Sequence, residues 1–301
     1  MLLAVTVVWG SSFILMKNTL DYMPTFAFLS IRFTVASVVM AGVNFRRIKF
    51  INRKSLAGGA ACGALVFTYM SLQVQGLLYT TVAKSSLITG LAVIIVPIMS
   101  ALILKKAPDA YSVVGVTLAA IGMATLSEFS FSSINFGDIL TFGCAILCAV
   151  HILSISFFSE RSEPRVLSML QFATCAILFT FMWWITGFEG FALNTAVVMT
   201  ILITGVLGTA LGYTLWAIVQ KDTTPTKTAL IFSSEPVFAI IFALLVPNNS
   251  GNTDKLTIYV AVGCILIVTG MLTAELKPGL KPGLKPGLKP GFLHFLKRKQ
   301  E

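Results

Sequence analysis

The stretch TTVAKSSLI at residues 80–88 returns as TTPTKTALI at residues 223–231, with five of nine positions identical. Each copy opens an apolar helix that carries a proline one or two turns on, Pro97 and Pro236. Each of those helices is followed by a segment with two glycines seven apart, Gly115/Gly122 and Gly263/Gly270. The chain therefore reads as one five-segment unit written twice. An odd number of spans in a membrane-crossing unit turns the second copy upside down relative to the first, an arrangement that places a site between two inverted halves.

Composition supports a bilayer as the solvent. The 301 residues are 56% hydrophobic and 11% charged, against about 25% charged in soluble chains, and the mean hydropathy is +0.88. Apolar runs near the length needed to cross a bilayer recur throughout, and helices satisfy their own backbone there. Ten spans are predicted, over 2–18, 25–44, 56–78, 83–104, 110–127, 137–157, 166–186, 195–219, 227–246 and 256–274. The first follows no basic leader and reads as a retained helix rather than a cleaved signal. The expected organisation is an all-α membrane protein with ten transmembrane helices, as a first repeat over 1–128, an inverted repeat over 129–275 and a basic tail over 276–301. The cysteines at 62, 144, 148, 175 and 264 all fall inside predicted spans, which argues against a disulfide framework.

Charge orients the chain. With loops assigned to alternate sides, 18 of the 22 Lys and Arg residues fall on one side. Positive charge stays cytoplasmic, so both termini are expected inside an inner (plasma) membrane. The net charge of +10 comes from this bias and from the tail, so nucleic acid is not an expected partner. In the tail LKPG runs four times from Leu276 to Gly291, before FLHFLKRKQE. Pro and Gly keep it from building a core. It reads as a solvated tail, with anionic-lipid contact through its lysines and Phe292, Leu293, Phe295 and Leu296 as the alternative.

Several motifs are familiar as a set: Trp9-Gly10-Ser11-Ser12-Phe13, Arg32-Phe33, Gln75-Gly76-Leu77 through Thr81, Ile88-Thr89-Gly90-Leu91 through Val96-Pro97, and Glu235-Pro236-Val237, with Gly-x6-Gly in spans five and ten. In that order and spacing, over residues 1–275, the chain resembles the drug/metabolite transporter superfamily of EamA type. The resemblance implies a ten-helix carrier of inverted five-helix repeats that exports amino acids or other small metabolites. It also implies a central cavity lined by spans 1, 3, 4, 6, 8 and 9. Family members often carry an acid just after the fourth and ninth spans. This chain has Leu104-Lys105-Lys106 and Val246-Pro247-Asn248-Asn249 there, so no role of that acid carries over, and the tail has no family counterpart.

Candidate site residues follow from polar groups inside spans. Glu235 lies eight residues past Lys227, about 12 Å along a helix. A carboxylate at that depth costs about 2.5–3.5 kcal/mol on insertion scales, so it reads either as a proton-binding coupling residue or as a partner of backbone freed beside Pro236. Arg32 could hold a substrate carboxylate. The favoured reading has it snorkel outward or pin neighbouring carbonyls, because the second span is not an expected cavity wall. Lys84 and Lys227 sit at helix N-termini at the two mouths, as attractors of anionic groups or as headgroup anchors. Trp9, Tyr69, Gln73, Thr89, Tyr213 and Trp216 form, with Gln75 and Gln220, a polar and aromatic set suited to stacking on a small solute, with helix packing as the competing explanation. Tyr69 and Gln73, and likewise Tyr213, Trp216 and Gln220, share helix faces.

His151 is a candidate for the cavity wall. Its alignment with Cys144 and Cys148 is not read as a metal site, because three residues on one straight helix do not converge on one ion. The lysines 84 and 227 also mark out unequal helices. Lys84 to Pro97 is 13 residues and Lys227 to Pro236 is nine, so the two prolines are expected to break their helices about one turn apart in depth.

The expected function is a secondary transporter moving a small, amino-acid-like metabolite by alternating access, with the bilayer and the solute as partners and no cofactor. No GxxxxGK[ST] occurs, so ATP does not drive it within this chain. A membrane-embedded enzyme is the alternative, but no HExxH occurs and the two histidines, His151 and His294, are far apart. A channel or helical scaffold is the third reading.

Overall fold

The computed structural model describes residues 1–103, 105, 107–126, 134–188, 190–247, 251, 253 and 256–275, and among these every regular element is helical. The tail, Leu104, Lys106, Asn248, Asn249 and Lys255 lie outside the described residues. In chain order the helices are α1 (Leu2–Thr19), α2 (Thr25–Val43), α3 (Arg53–Tyr79), α4 (Val82–Gly90), α5 (Ala92–Ile103), α6 (Ala110–Leu126), α7 (Phe136–Ser159) and α8 (Pro164–Ile185). Then α9 (Thr195–Leu202) runs through a wider π-coiled stretch, Ile203–Leu211, into α10 (Gly212–Val219), and α11 (Pro225–Phe232), α12 (Glu235–Leu245) and α13 (Ile258–Glu275) follow. Eight helical runs are long and apolar enough to cross a membrane, and two shorter apolar helices, Ala110–Leu126 and Ile258–Ala274, accompany them.

The repeated motif sets helix starts. Thr81 Oγ1 accepts from the Lys84 amide at 3.2 Å and Thr224 Oγ1 from the Lys227 amide at 3.3 Å. Each threonine thus satisfies an orphan donor of the first turn. Asn52 and Asn135 open α3 and α7 with full capping boxes, through Ser55 and Asp138.

The helices that follow the motif both break, the second right beside Pro236, which is the second residue of α12, and the first away from Pro97. Pro97 sits inside α5 without ending it. The interruption comes earlier, at Leu91, and its counterpart falls at Ser233–Ser234. An interval of 143 residues separates Thr80 from Thr223, Lys84 from Lys227 and the first residue of α5, Ala92, from the first residue of α12, Glu235. The two breaks therefore lie at equal depth in the repeat, and the expected one-turn offset is corrected. The reason is tertiary. Gly90, at the first break, lies under the ring of Pro236 at the second, where a Cβ would come within 3.0 Å of the Pro236 Cγ.

Two pairs of helices that occupy matching places in the sequence duplication meet antiparallel. Gly115 packs on Gly270 and Gly122 on Gly263, so α6 and α13 run in opposite senses. A Cβ on Gly115 would stand 2.5 Å from the Gly270 carbonyl oxygen, and one on Gly270 would stand 2.5 Å from that of Gly115. Only glycine allows this approach. The helices α2 and α8 also oppose: Ser30 and Thr180 hydroxyls bond at 2.7 Å, and one turn on Phe33 stacks on Phe179 with centroids 5.2 Å apart. Crosswise, α4 packs on α12 and α5 on α11. Large apolar side chains such as Val43, Leu102, Ile177 and Leu245 face outward, while Phe28, Phe33, Phe172 and Phe179 fill the interior.

Polar ties mark the two ends of α3. At its start Arg47 pairs with Glu163 of the α7–α8 turn at 2.9 Å. At its end the Lys17 ammonium donates to the carbonyls of Leu77 and Thr80. There the Thr80 hydroxyl donates to Asp138 at 2.6 Å, and Lys84 pairs with the other Asp138 oxygen at 3.4 Å.

Candidate functional site

A cavity of about 60 Å³ lies where α1, α2, α3, α7, α10 and the two helix breaks converge. Trp9, Tyr69, Gln73, Thr89, Tyr213, Trp216 and Glu235 of the sequence reading all line it. Its aromatic wall is continuous. Trp9 stands 5.0 Å from both Tyr213 and Phe232 by ring centroid, and Trp216 stands 5.0 Å from Phe232 and 5.7 Å from Tyr213. These rings are held in place. The Trp9 indole donates to the Gly208 carbonyl at 2.8 Å, and the Trp216 indole donates to Gln220 Oε1 at 2.7 Å. The same Gln220 oxygen accepts from Thr228 at 2.9 Å, so Gln220 orients Trp216 instead of facing the cavity. The Tyr69 and Tyr213 hydroxyls bond each other at 2.6 Å across the gap between α3 and α10.

Polar groups continue around the first break. Gln73 Nε2 reaches Thr89 Oγ1 at 3.4 Å, and that hydroxyl donates back to the Ser85 carbonyl at 2.9 Å. Glu235 opens α12 directly after the second break and faces the cavity. Among the described residues its carboxylate has no hydrogen bond or ion pair. Its place at the helix start lies in the positive end of the α12 dipole.

Two expectations change here. His151 is fully buried but is not a lining residue. On α7, Cys148 and Ile152 take the lining face, and His151 turns toward α8, where Nε2 meets Gln171 Oε1 at 3.1 Å. Its ring backs the wall from behind, 5.0 Å from Trp216 and 5.5 Å from Tyr69. Arg32 does not snorkel outward. It is 2% exposed and lines the cavity, so the second span adds to the expected wall. The π-coiled stretch is the cause. Its Thr209 hydroxyl donates to the Thr204 carbonyl five residues back at 2.8 Å and accepts from Arg32 Nε at 2.9 Å. Lys84 and Lys227 sit outside the cavity, one turn into α4 and α11, with Lys84 in its pair with Asp138.

Ser12 of the Trp9–Phe13 motif and Cys148 beside His151 also line the cavity, as do Met16, Ser86, Phe232 and Ser233, which were not candidates in the sequence. Ser86 lies inside the repeated motif, and Phe232 and Ser233 directly follow its second copy, so the duplication was the available signal.

Apolar helices of membrane-crossing length packed around an aromatic and charged cavity define an integral membrane protein. The chain belongs to the EamA-like transporter family of the drug/metabolite transporter superfamily, whose pattern matches residues 1–127 and 135–274. It is similar to an uncharacterized transporter of Archaeoglobus fulgidus, 32% identical over 274 residues, which are 91% of this chain and 84% of that one. It is also similar to the uncharacterized transporter YyaM of Bacillus subtilis, 23% identical over 91% of this chain and 92% of that one. The fold is similar to that of a solved crystal structure, with TM-score 0.68 at 18% identity over 90% of this chain and 96% of the other.

Proposed function

We propose that this transporter is a secondary carrier that moves a small amino-acid-like metabolite out of the cell across the plasma membrane, by alternating access between two inverted halves, 1–128 and 129–275. The observation that carries the reading is the meeting of the two helix breaks at the cavity. They are equivalent in sequence, 143 residues apart, and belong to helices that pack crosswise. A pair of hinges in matching places lets each half rock against the other about one site. The cavity's size supports motion as well. About 60 Å³ holds only a few waters, so a metabolite requires the helices to part. Glu235 is the coupling candidate, a cavity carboxylate at the hinge itself, and Lys84 and Lys227 guard the two mouths. The bias of basic residues supports an orientation with both termini in the cytoplasm.

Reconstitution in proteoliposomes tests this. Labelled amino acids are offered as a panel, with and without a pH gradient and with unlabelled solute inside. The expected result is saturable uptake of at least one of them, accelerated by solute on the far side. Flux that rises linearly with concentration and gains nothing from far-side solute would instead mark a channel and end the carrier reading.

A further inference from the structure

The cavity holds a cation whose hydrogen-bonding capacity is mostly unspent. A guanidinium carries five N–H donors and no acceptor. Arg32 is 2% exposed, yet only Nε has a good partner, the Thr209 hydroxyl at 2.9 Å. One Nη1 donor points at the Met16 thioether at 3.3 Å, a weak acceptor. Among the described residues no other atom accepts from Arg32, and no carboxylate lies within ion-pair distance of it. Glu235 lines the same cavity and its charge reaches Arg32, but it stands beyond ion-pair distance. A buried cation whose counter-charge is not in direct contact is held at a cost, and charged side chains within spans mark substrate paths.

Its aim is also fixed. Thr209 is itself held by the Thr204 carbonyl across the π-coiled turn, so Nε is tethered from behind and the terminal nitrogens are presented forward. A π turn in a helix commonly accompanies a functional site.

We infer that Arg32 is the specificity-determining residue of the cavity, binding a carboxylate of the transported solute through its two terminal nitrogens, with Thr209 as its positioning residue. The planar fork matches a carboxylate bidentately. The Trp9, Tyr213, Trp216 and Phe232 rings would then take the rest of the solute. The inference rests on the carrier reading for its meaning, but it is tested by binding alone.

The experiment uses the purified full chain in detergent and three probes that share a benzyl group: phenylalanine, with both charges; phenylpyruvate, without the ammonium; and phenethylamine, without the carboxylate. Binding is read from the fluorescence of Trp9 and Trp216 and from the shift in melting temperature. The two carboxylates are expected to bind and the amine is not. Arg32→Gln should weaken both carboxylates about 10–100-fold, and Arg32→Lys should restore part of that loss. If Arg32→Gln does not fold, Thr209→Val gives the second arm. It keeps the charge and should lower affinity for carboxylates alone, by about 3–10-fold.

Equal binding of all three probes, carboxylate affinity unchanged in Arg32→Gln, or no response to either carboxylate would each overturn the assignment. Carboxylate-selective binding that depends on Arg32, without far-side acceleration of flux in vesicles, would leave the assignment standing and remove the carrier reading.

Discussion

In the proposed carrier, Glu235 is the residue at which chemistry and motion would meet. It opens α12 immediately after the Ser233–Ser234 break and faces the cavity without a hydrogen bond or ion pair among the described residues, sharing that cavity with the Arg32 charge. A carboxylate within a span is held at a cost even with Arg32 across the same cavity, and in a carrier a group that alternately binds and releases a proton would justify that cost. Glutamine has nearly the same shape and cannot take the proton. Glu235→Gln should therefore abolish the dependence of uptake on a pH gradient, while exchange of labelled for unlabelled solute at equal pH continues within about threefold of the original rate. Gradient-driven uptake that persists unchanged in that variant removes Glu235 from coupling. Arg32 lies in the same cavity, but its location was obscure in the sequence. A single Arg seven residues into an apolar span looks the same whether it reaches outward or inward. The direction is set by Thr209 on a helix 177 positions away, and by a π coil that hydrophobic periodicity does not register.

At the scale of elements, the fold was legible wherever one helix decides its own limits. The ten apolar runs fall within a few residues of their predicted ends, and Thr81 and Thr224 cap the helices that the repeated motif announced. What the sequence hid was set by a neighbour. The helix after Lys84 breaks at Leu91, not at Pro97, because the break is fixed by what crosses it, the Pro236 ring over Gly90. His151 shares a helix with the cavity residue Cys148, yet it turns away because Gln171 stands on α8 to receive it. The α6–α13 seam is the strictest contact between elements. A Cβ on Gly270 would enter the carbonyl of Gly115, and a helix backbone cannot move aside as a flexible side chain can. Gly270→Ala is thus expected to destabilise by about 1–3 kcal/mol. Gly42→Ala on α2 is the control, since nothing stands within 4 Å of its Cβ, and replacing a helical glycine there should cost nothing. Melting temperatures of the two variants in one detergent check the contrast; a Gly270→Ala protein as stable as the control would mean that α6 and α13 are not in contact at that point.

At the scale of the whole molecule, polar ties hold both ends of the bundle around the cavity. One end carries the Arg47–Glu163 pair, and the other joins Lys17, Thr80, Asp138 and Lys84 across α1, α3, α4 and α7. These two ends lie about 40 Å apart along α3, so in the proposed carrier each mouth would have its own lock. Alternating access requires that loosening one lock open the cavity to one side only. The chain supplies a probe of its own, because Cys148 lines the cavity as a free thiol. A protein that keeps Cys148 and has the other four cysteines replaced should react slowly with a membrane-impermeant thiol reagent from either side. Asp138→Asn removes a carboxylate that accepts from Thr80 at 2.6 Å and pairs with Lys84. A hydrogen bond to a charged group is worth about 1.5 kcal/mol, roughly tenfold in population. Labelling from the Thr80–Lys84 side should accelerate by about that factor, and labelling from the Arg47–Glu163 side should not change. Equal acceleration from both sides would describe a leak through the middle of the bundle, which two halves rocking about one site do not produce.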